Sequence, residues 1–443
     1  MGKIRLSVSI RLLVCGLLFL WLVSAEVLAK NVKASVWPVS VARDGFSVDE
    51  VTTIRQHFAP FKLAAAGNQA LYTYLNMTEF VPHHLIARKG GVRSLPLKPN
   101  ADLMALQVSS ALGEVSVESL LEDPRSRLQG LIVVHRGEIV LENYPGMREE
   151  DSHLWWSVAK LPAGILIEQL VDEGKLKLNV SVASYLPAFK KTAWARVTVG
   201  QVLNMCSGID ALDTPEGYAN PDSGIGRLIY AEAILTRPGH EPLGHDQALR
   251  SMVLAQEPGS RYEYSSANTN ILSLLIERVT GKRYSEAVQE RIWSKIGAEG
   301  DALIGLTPEG RAIAHGMFSS RLRDLARFGL LFTPGGHNPA VIPASALKRL
   351  VKYKNGQRAY LNAPLAVKKA RALLGVAPVA APSQWDALFS DGDLFKSGYD
   401  GQALYVSPSR EVVIALYSTS KEKSAYRLLR PIAEYFPDCR QRC

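Results

Sequence analysis

The 443-residue chain is predicted to adopt an α/β fold of the α+β kind: an antiparallel sheet flanked by helices, with a helical subdomain inserted into it. Three observations predict this. A hairpin pattern, LQGLIVVHRGEIVLENYPG, comes before a long helical middle, its two β-rich runs flanking a turn at Arg136-Gly137. A second extended pair, GQALYVSP and EVVIALYSTS around a Pro-Ser-Arg turn, comes after that middle. The composition, 47% hydrophobic and 21% charged, is that of a globular chain long enough to bury a large core. One antiparallel sheet drawn from both ends of the chain, with helices between, satisfies all three.

In chain order, residues 1–29 read as a signal peptide. MGKIRLSVSIR is basic, Leu12 to Ala25 is a fourteen-residue apolar run, and small-residue sites follow at Ala25 and Ala29. The run is short of the roughly 20 residues that span a bilayer. Export to the periplasm or medium is therefore expected, with an uncleaved signal anchor as the alternative and lipidation at Cys15 as a minor one. Residues 30–110 are an N-terminal extension, with KNVKASVWPVSVARDGFSVDEV an extended lead-in and ALYTYLNMTEFVPHHLIARKGG one or two strands. The main domain occupies 111–443. After the first hairpin, Ile165, Leu166, Ile167 and Leu170 suit a buried helix ending near Gly174. Short helices and loops follow, and residues 212–248, rich in Pro, Gly, Asp and His, read as a long irregular loop over a cleft. TNILSLLIERVTG, SEAVQERIWSKIGA and SSRLRDLARFGLLF are clearer helices, and the chain closes on another.

Charge and cysteine usage exclude several functions. Lys3, Arg5, Arg11 and Glu26 leave with the signal, taking a net +2, so about +7 of the formal +9 remains. That favours, weakly, an anionic substrate or envelope polymer. The basic residues are scattered and not interleaved with aromatics, which excludes nucleic acid as a partner. Nine histidines form neither HExxH nor a Cys/His repeat, so no metal is expected. Of the four cysteines, Cys206 lies in an apolar segment and Cys439 and Cys443 end the chain, too few for a disulfide framework. Cys439 and Cys443 have the alternatives of a bridge or two free thiols.

Three motifs carry chemistry. Ser157 and Lys160 in WWSVAK open the buried helix. Ser-x-x-Lys recurs at Ser345, Ser418 and Ser420, so alone it reads as well as a cap with a surface lysine. Only at Ser157 do free backbone N–H groups and the helix dipole favour an oxyanion. A lysine held there in partly apolar surroundings has its charged form disfavoured, which makes it a base. Tyr264 in PGSRYEYSSANTN precedes another apolar helix; alone it is a buried tyrosine at a turn. Lys396-Ser397-Gly398 leads into the closing hairpin, where Gly398 and Gly401 let backbone approach a ligand closely.

In this order the three resemble the Ser-x-x-Lys, Tyr-x-Asn and Lys-Thr-Gly or His-x-Gly motifs of the serine β-lactamase and penicillin-binding-protein superfamily. The likeness is to its class C β-lactamase-like branch, which includes carboxylesterases and 6-aminohexanoate-dimer hydrolases. It extends over roughly residues 125–420, through VTVGQVLNMCSGID, AHGMFSSRLRDLARFGLLF and GQALYVSPSREVVIAL. The resemblance implies a β-lactamase/transpeptidase-like fold and a serine hydrolase without cofactor. Ser157 would be the acylated nucleophile, Lys160 its base and Tyr264 a proton-transfer group. Lys396 and Ser397 would hold a substrate carboxylate or assist proton transfer, and the N–H groups of Ser157 and Tyr399, after Gly398, would form the oxyanion hole. Ser266 stands where the family has asparagine, which counts against efficient β-lactam hydrolysis, and GYDGQ at 398–402 is closer to the esterase and aminohexanoate-dimer hydrolase relatives. Pro162 falls just inside the nucleophile helix and implies a distorted start. Small esters and linear amides are the first expected substrates, with D-amino-acid peptides and β-lactams as alternatives. A noncatalytic penicillin-binding-type protein is the alternative outside enzymes.

Overall fold

Both hairpins form, and they join. The computed structural model describes residues 36–59, 67–110, 113–233, 241, 243–421 and 425–439; the signal peptide and the pairing of Cys439 with Cys443 lie outside the described residues. Residues from Pro38 onward form one compact unit. In chain order its strands are β1 His83–Ile86, β2 Gln107–Ser110, β3 Gly113–Ser116, β4 Leu128–His135, β5 Glu138–Asn143, β6 His153–Leu154, β7 Ala302–Gly305, β8 Phe318–Ser320, β9 Ala387–Leu388, β10 Leu394–Ser397, β11 Ala403–Ser407 and β12 Val412–Ser418. The six-stranded sheet has the order β5-β4-β12-β11-β10-β9. Its β4–β12 pairing, with Val133 opposite Ile414, joins the two chain ends. Arg136 and Gly137 both take positive φ, 52° and 79°, as a two-residue hairpin turn requires.

Side chains of this sheet alternate between two apolar layers. Ile132, Val134, Leu404, Val406, Val413 and Ala415 face the larger core. Leu131, Val133, Tyr405, Val412, Ile414 and Leu416 face a second core, shared with the closing helix Tyr426–Tyr435. Burial on both faces explains why these strands read as nearly continuous apolar runs. The helix Leu322–Leu330 lies against the first face so closely that a Cβ at Gly329 would sit 2.6 Å from Val413 Cγ1. A smaller sheet, β1-β7-β8-β6, lies beside the nucleophile segment.

Three expectations need correction. The lead-in is not extended: Ser40–Asp44 and Val48–His57 are helices, the second closed by a capping box in which Ser47 and Glu50 satisfy each other's backbone. The stretch ALYTYLNMTEFVPHHLIARKGG does hold one strand, β1, but its start, ALYTYL, is the helix Asn68–Thr73 and its end. Among its described residues the 212–248 segment holds three short helices, Pro215–Ala219, Gly224–Glu232 and His245–Arg250. Thr214 and Ser223 cap the first two through their side chains. Gly226 there serves close packing, since a Cβ would meet Asn220 O at 2.0 Å.

The site rests on two packed helices, α1 Leu161–Asp172 and α2 Ser266–Thr280. α1 is buried from Leu161 to Leu170, and a Cβ at Gly164 would lie 2.5 Å from Ser383 O. Pro162 sits in the first turn, where no intrahelical N–H is lost. The distortion it implies lies just before it: Trp156–Lys160 is a separate 3-10 turn.

Candidate active site

That 3-10 turn sets the geometry of the first pair. Side chains at i and i+3 eclipse in such a turn, and Lys160 Nζ stands 3.0 Å from Ser157 Oγ. Lys160 is wholly buried, which removes the reading of a surface lysine. Nζ also donates to Ser266 Oγ at 3.1 Å and to the carbonyl of His315 at 2.8 Å. Ser266 Oγ in turn donates to Asp213 Oδ2 at 2.5 Å, and Ser266 N–H to Asp213 Oδ1 at 2.8 Å. Because the Ser266 hydrogen is committed to a carboxylate that can only accept, Ser266 Oγ must accept from Lys160. A neutral Lys160 therefore has both N–H groups engaged by Ser266 and His315, and its lone pair faces Ser157. Burial lowers its pKa to about 7, opposed by the charge of Asp213 and reinforced by that of Lys396.

Tyr264 stands between two lysines. Lys160 Nζ lies 5.0 Å and Lys396 Nζ 4.8 Å from its ring centroid. Its hydroxyl accepts from Lys396 Nζ at 3.2 Å, and Ser157 lies near enough to lower its pKa. Burial, then the charges of Asp386 and Asp213, hold its pKa well above the ordinary value, so Tyr264 is a neutral phenol. It can pass a proton between Ser157 and a leaving group; it is not a phenolate base.

Lys396 and Ser397 end β10 and are engaged by Asp386. Lys396 Nζ is 2.5 Å from Asp386 Oδ1, and Ser397 donates to Oδ2 through its N–H at 2.8 Å and its hydroxyl at 2.6 Å. The motif's glycine has a steric reason. A Cβ at Gly398 would lie 2.5 Å from the carbonyl oxygen of Trp155, so only glycine lets the end of β10 approach the residue two before Ser157. Tyr426 Oη, 2.9 Å from both Gly398 O and Gln402 O, braces the same turn. Trp156 is left-handed at φ 49°, a strain of about 1–2 kcal/mol. Its ring is held between Tyr74 and Tyr399, both centroids 5.5 Å away. Tyr74 Oη donates to Asp400 Oδ2 at 2.6 Å, so the N-terminal extension braces the residue after Tyr399.

Thus Ser157, Lys160, Tyr264 and Ser266 meet in one cluster, Lys396 joins it through Tyr264, and Ser397, Gly398 and Tyr399 continue its wall. Sequence reasoning missed Asp213, Asp386 and His315. Beside the last, Glu232 bonds His315 Nε2 at 2.9 Å and Asn270 Nδ2 at 2.7 Å. Asp213 follows an unremarkable Ala-Leu pair, and Asp386 lies in a segment whose shape was not readable. Among the described residues no group of His, Cys, Asp and Glu could hold a metal ion, and no helix is long and apolar enough to cross a membrane.

An antiparallel sheet between helical layers, with a serine and a buried lysine at the start of one helix, defines the class of serine hydrolases built on the β-lactamase fold. The beta-lactamase family model matches residues 119–435, and the chain belongs to that family. It is 30% identical over 296 residues to the 6-aminohexanoate-dimer hydrolase of Paenarthrobacter ureafaciens, covering 64% of this chain and 72% of that one. A solved structure from Bacillus anthracis, described as a 6-aminohexanoate-dimer hydrolase, superposes with a TM-score of 0.70 at 24% identity, over 83% of this chain and 94% of the other. A family VIII carboxylesterase superposes with a TM-score of 0.52 at 15% identity, over 72% and 96%. The protein is an enzyme, a β-lactamase-related serine hydrolase of the esterase and amidase kind.

Proposed function

We propose that the protein is exported and cleaves small esters and linear amides through an acyl-enzyme on Ser157. Neutral Lys160 removes the Ser157 proton as Oγ bonds to the substrate carbonyl carbon. The oxyanion is met by the N–H groups of Ser157 and Tyr399. As the bond to the leaving group breaks, that group takes a proton from the Tyr264 hydroxyl, which is resupplied from Lys160 through Ser157's vicinity. Water then attacks the ester carbonyl and gives a proton to Lys160, and as the acyl–Oγ bond breaks Lys160 returns that proton to Ser157 Oγ, which frees the acid and restores the neutral amine. Splitting the reaction this way replaces one hard step with two easier ones.

The observation that carries this reading is the wholly buried Lys160, 3.0 Å from Ser157 Oγ and with a pKa near 7, matched to a base working at neutral pH. The likeness to an aminohexanoate-dimer hydrolase supports small linear substrates, and the basic then apolar N-terminus supports export. A fluorophosphonate probe and a p-nitrophenyl ester test it: wild type is labelled and hydrolyses the ester, and Ser157→Ala does neither. A wild-type protein that takes no label and cleaves no ester overturns it. Fractionation of expressing cells, with N-terminal sequencing of the mature chain, tests export.

A further inference from the structure

The carboxylate of Asp386 is bound as a ligand would be. It receives three donors, Lys396 Nζ, Ser397 N–H and Ser397 Oγ, at 2.5–2.8 Å. One cation and two hydrogen bonds converging on two carboxylate oxygens make a complete carboxylate cradle. The cradle lies at the reacting centre, since Lys396 also bonds the Tyr264 hydroxyl and the Tyr264 ring lies between Lys396 and Lys160, the latter 3.0 Å from Ser157 Oγ.

Its occupant is fixed by the sheet. β9 pairs with β10 so that Phe395 faces Ala387 and Leu394 faces Leu388. One step further along that register, Asp386 faces Lys396, and Asp386 N–H bonds Phe395 O at 3.1 Å. Buried Trp385, Ala387 and Leu388 flank it, so the carboxylate stands on a packed sheet edge. Lys396 is wholly buried, whereas Asp386 retains 17% side-chain exposure. The acid is thus the more exposed member of the pair.

We propose that Asp386 permanently fills the carboxylate-recognition position beside Ser157, so that this enzyme selects substrates carrying no carboxylate next to the scissile bond. The inference rests on the Ser157 acyl-enzyme reading. A carboxylate-bearing substrate meets donors already engaged and a like charge at the same place. The same arrangement holds Lys396 Nζ against the Tyr264 hydroxyl at 3.2 Å, so a neutral substrate loses nothing by the arrangement.

Hydrolysis of 3-acetoxybenzoic acid and of its methyl ester, two acetyl esters differing in one leaving-group carboxylate, tests it. Wild type should prefer the methyl ester. In Asp386→Ala the ratio of kcat/KM for acid over methyl ester should rise about tenfold or more, chiefly through KM, and acetate should inhibit the variant competitively but not wild type. Asp386→Asn keeps the shape and loses the charge, and should move the ratio in the same direction by less; it also serves if the alanine variant does not fold. A wild-type preference for the acid, or an unchanged ratio in a folded variant, overturns the inference. If wild type hydrolyses neither ester and Ser157 takes no fluorophosphonate, the acyl-enzyme reading fails, and the inference with it.

Discussion

Two lysines flank one tyrosine, and the difference between them organises the site. Both Lys160 and Lys396 are wholly buried, and both lie about equally far over the Tyr264 ring. Burial lowers both pKa values. Lys396, however, touches a carboxylate directly, whereas Lys160 touches only a carbonyl and two hydroxyls, with Asp213 one hydroxyl further away. A direct carboxylate stabilises the ammonium; a carboxylate behind a serine orients the amine without neutralising it. One lysine thereby has a direct counter-charge opposing its burial, and the other is made available as a base. A charge moved by the length of one side chain separates the roles.

Breaking the pair on the Lys160 side should have the largest effect. Lys160→Ala should lower the acylation rate by about 10³-fold or more while far-UV circular dichroism stays native; a loss under tenfold removes Lys160 from the role of base. Next comes Gly398→Ala, whose Cβ cannot coexist with Trp155 O at 2.5 Å. Displacement of the Tyr399 N–H should cost about 10²–10³ in kcat, measured with the neutral ester.

Charge removal sharpens the comparison further. Asp213 raises the Lys160 pKa and Lys396 lowers it. Asp213→Asn should therefore move the acidic limb of kcat/KM to lower pH, and Lys396→Met should move it to higher pH, each by about one unit. Shifts of the same sign would show that the two groups do not act on Lys160 through charge.

The smallest effect is on stability. The folded pKa of Lys160, about 7, lies below its ordinary value of 10.5. Between those values the unfolded chain binds the extra proton, so stability rises with pH across this window and the burial penalty is fully present below pH 7. Lys160→Met removes the penalty. Its advantage over wild type in urea unfolding should be about 2 kcal/mol larger at pH 6 than at pH 9.

The parts of this design that were legible in the sequence are those with local signatures. Ser157 and Lys160 share one turn, Tyr264 and Lys396 stand in short ordered motifs, and the hairpins announce themselves by apolar runs around a turn. Asp213 and Asp386 carry no such mark. Asp386 gains its role only because a two-residue edge strand pairs β9 with β10, and Asp213 only because its segment lies against the start of α2. The helices of 212–248 were hidden for a related reason: they are short, and their glycines and proline, which read as loop, serve caps and close packing instead. The capping box at Ser47 and Glu50 was visible as S-x-x-E, yet the surrounding Val, Trp and Phe residues suggested extended chain.

The most direct test of the account is the pH dependence of fluorophosphonate labelling at Ser157 in the wild-type protein between pH 5 and pH 10. The account predicts a labelling rate that rises with pH through a single midpoint near the Lys160 pKa of about 7 and is lost in Lys160→Met. A midpoint near the ordinary lysine value of 10.5, or a pH-dependent rate that persists in Lys160→Met, would contradict it.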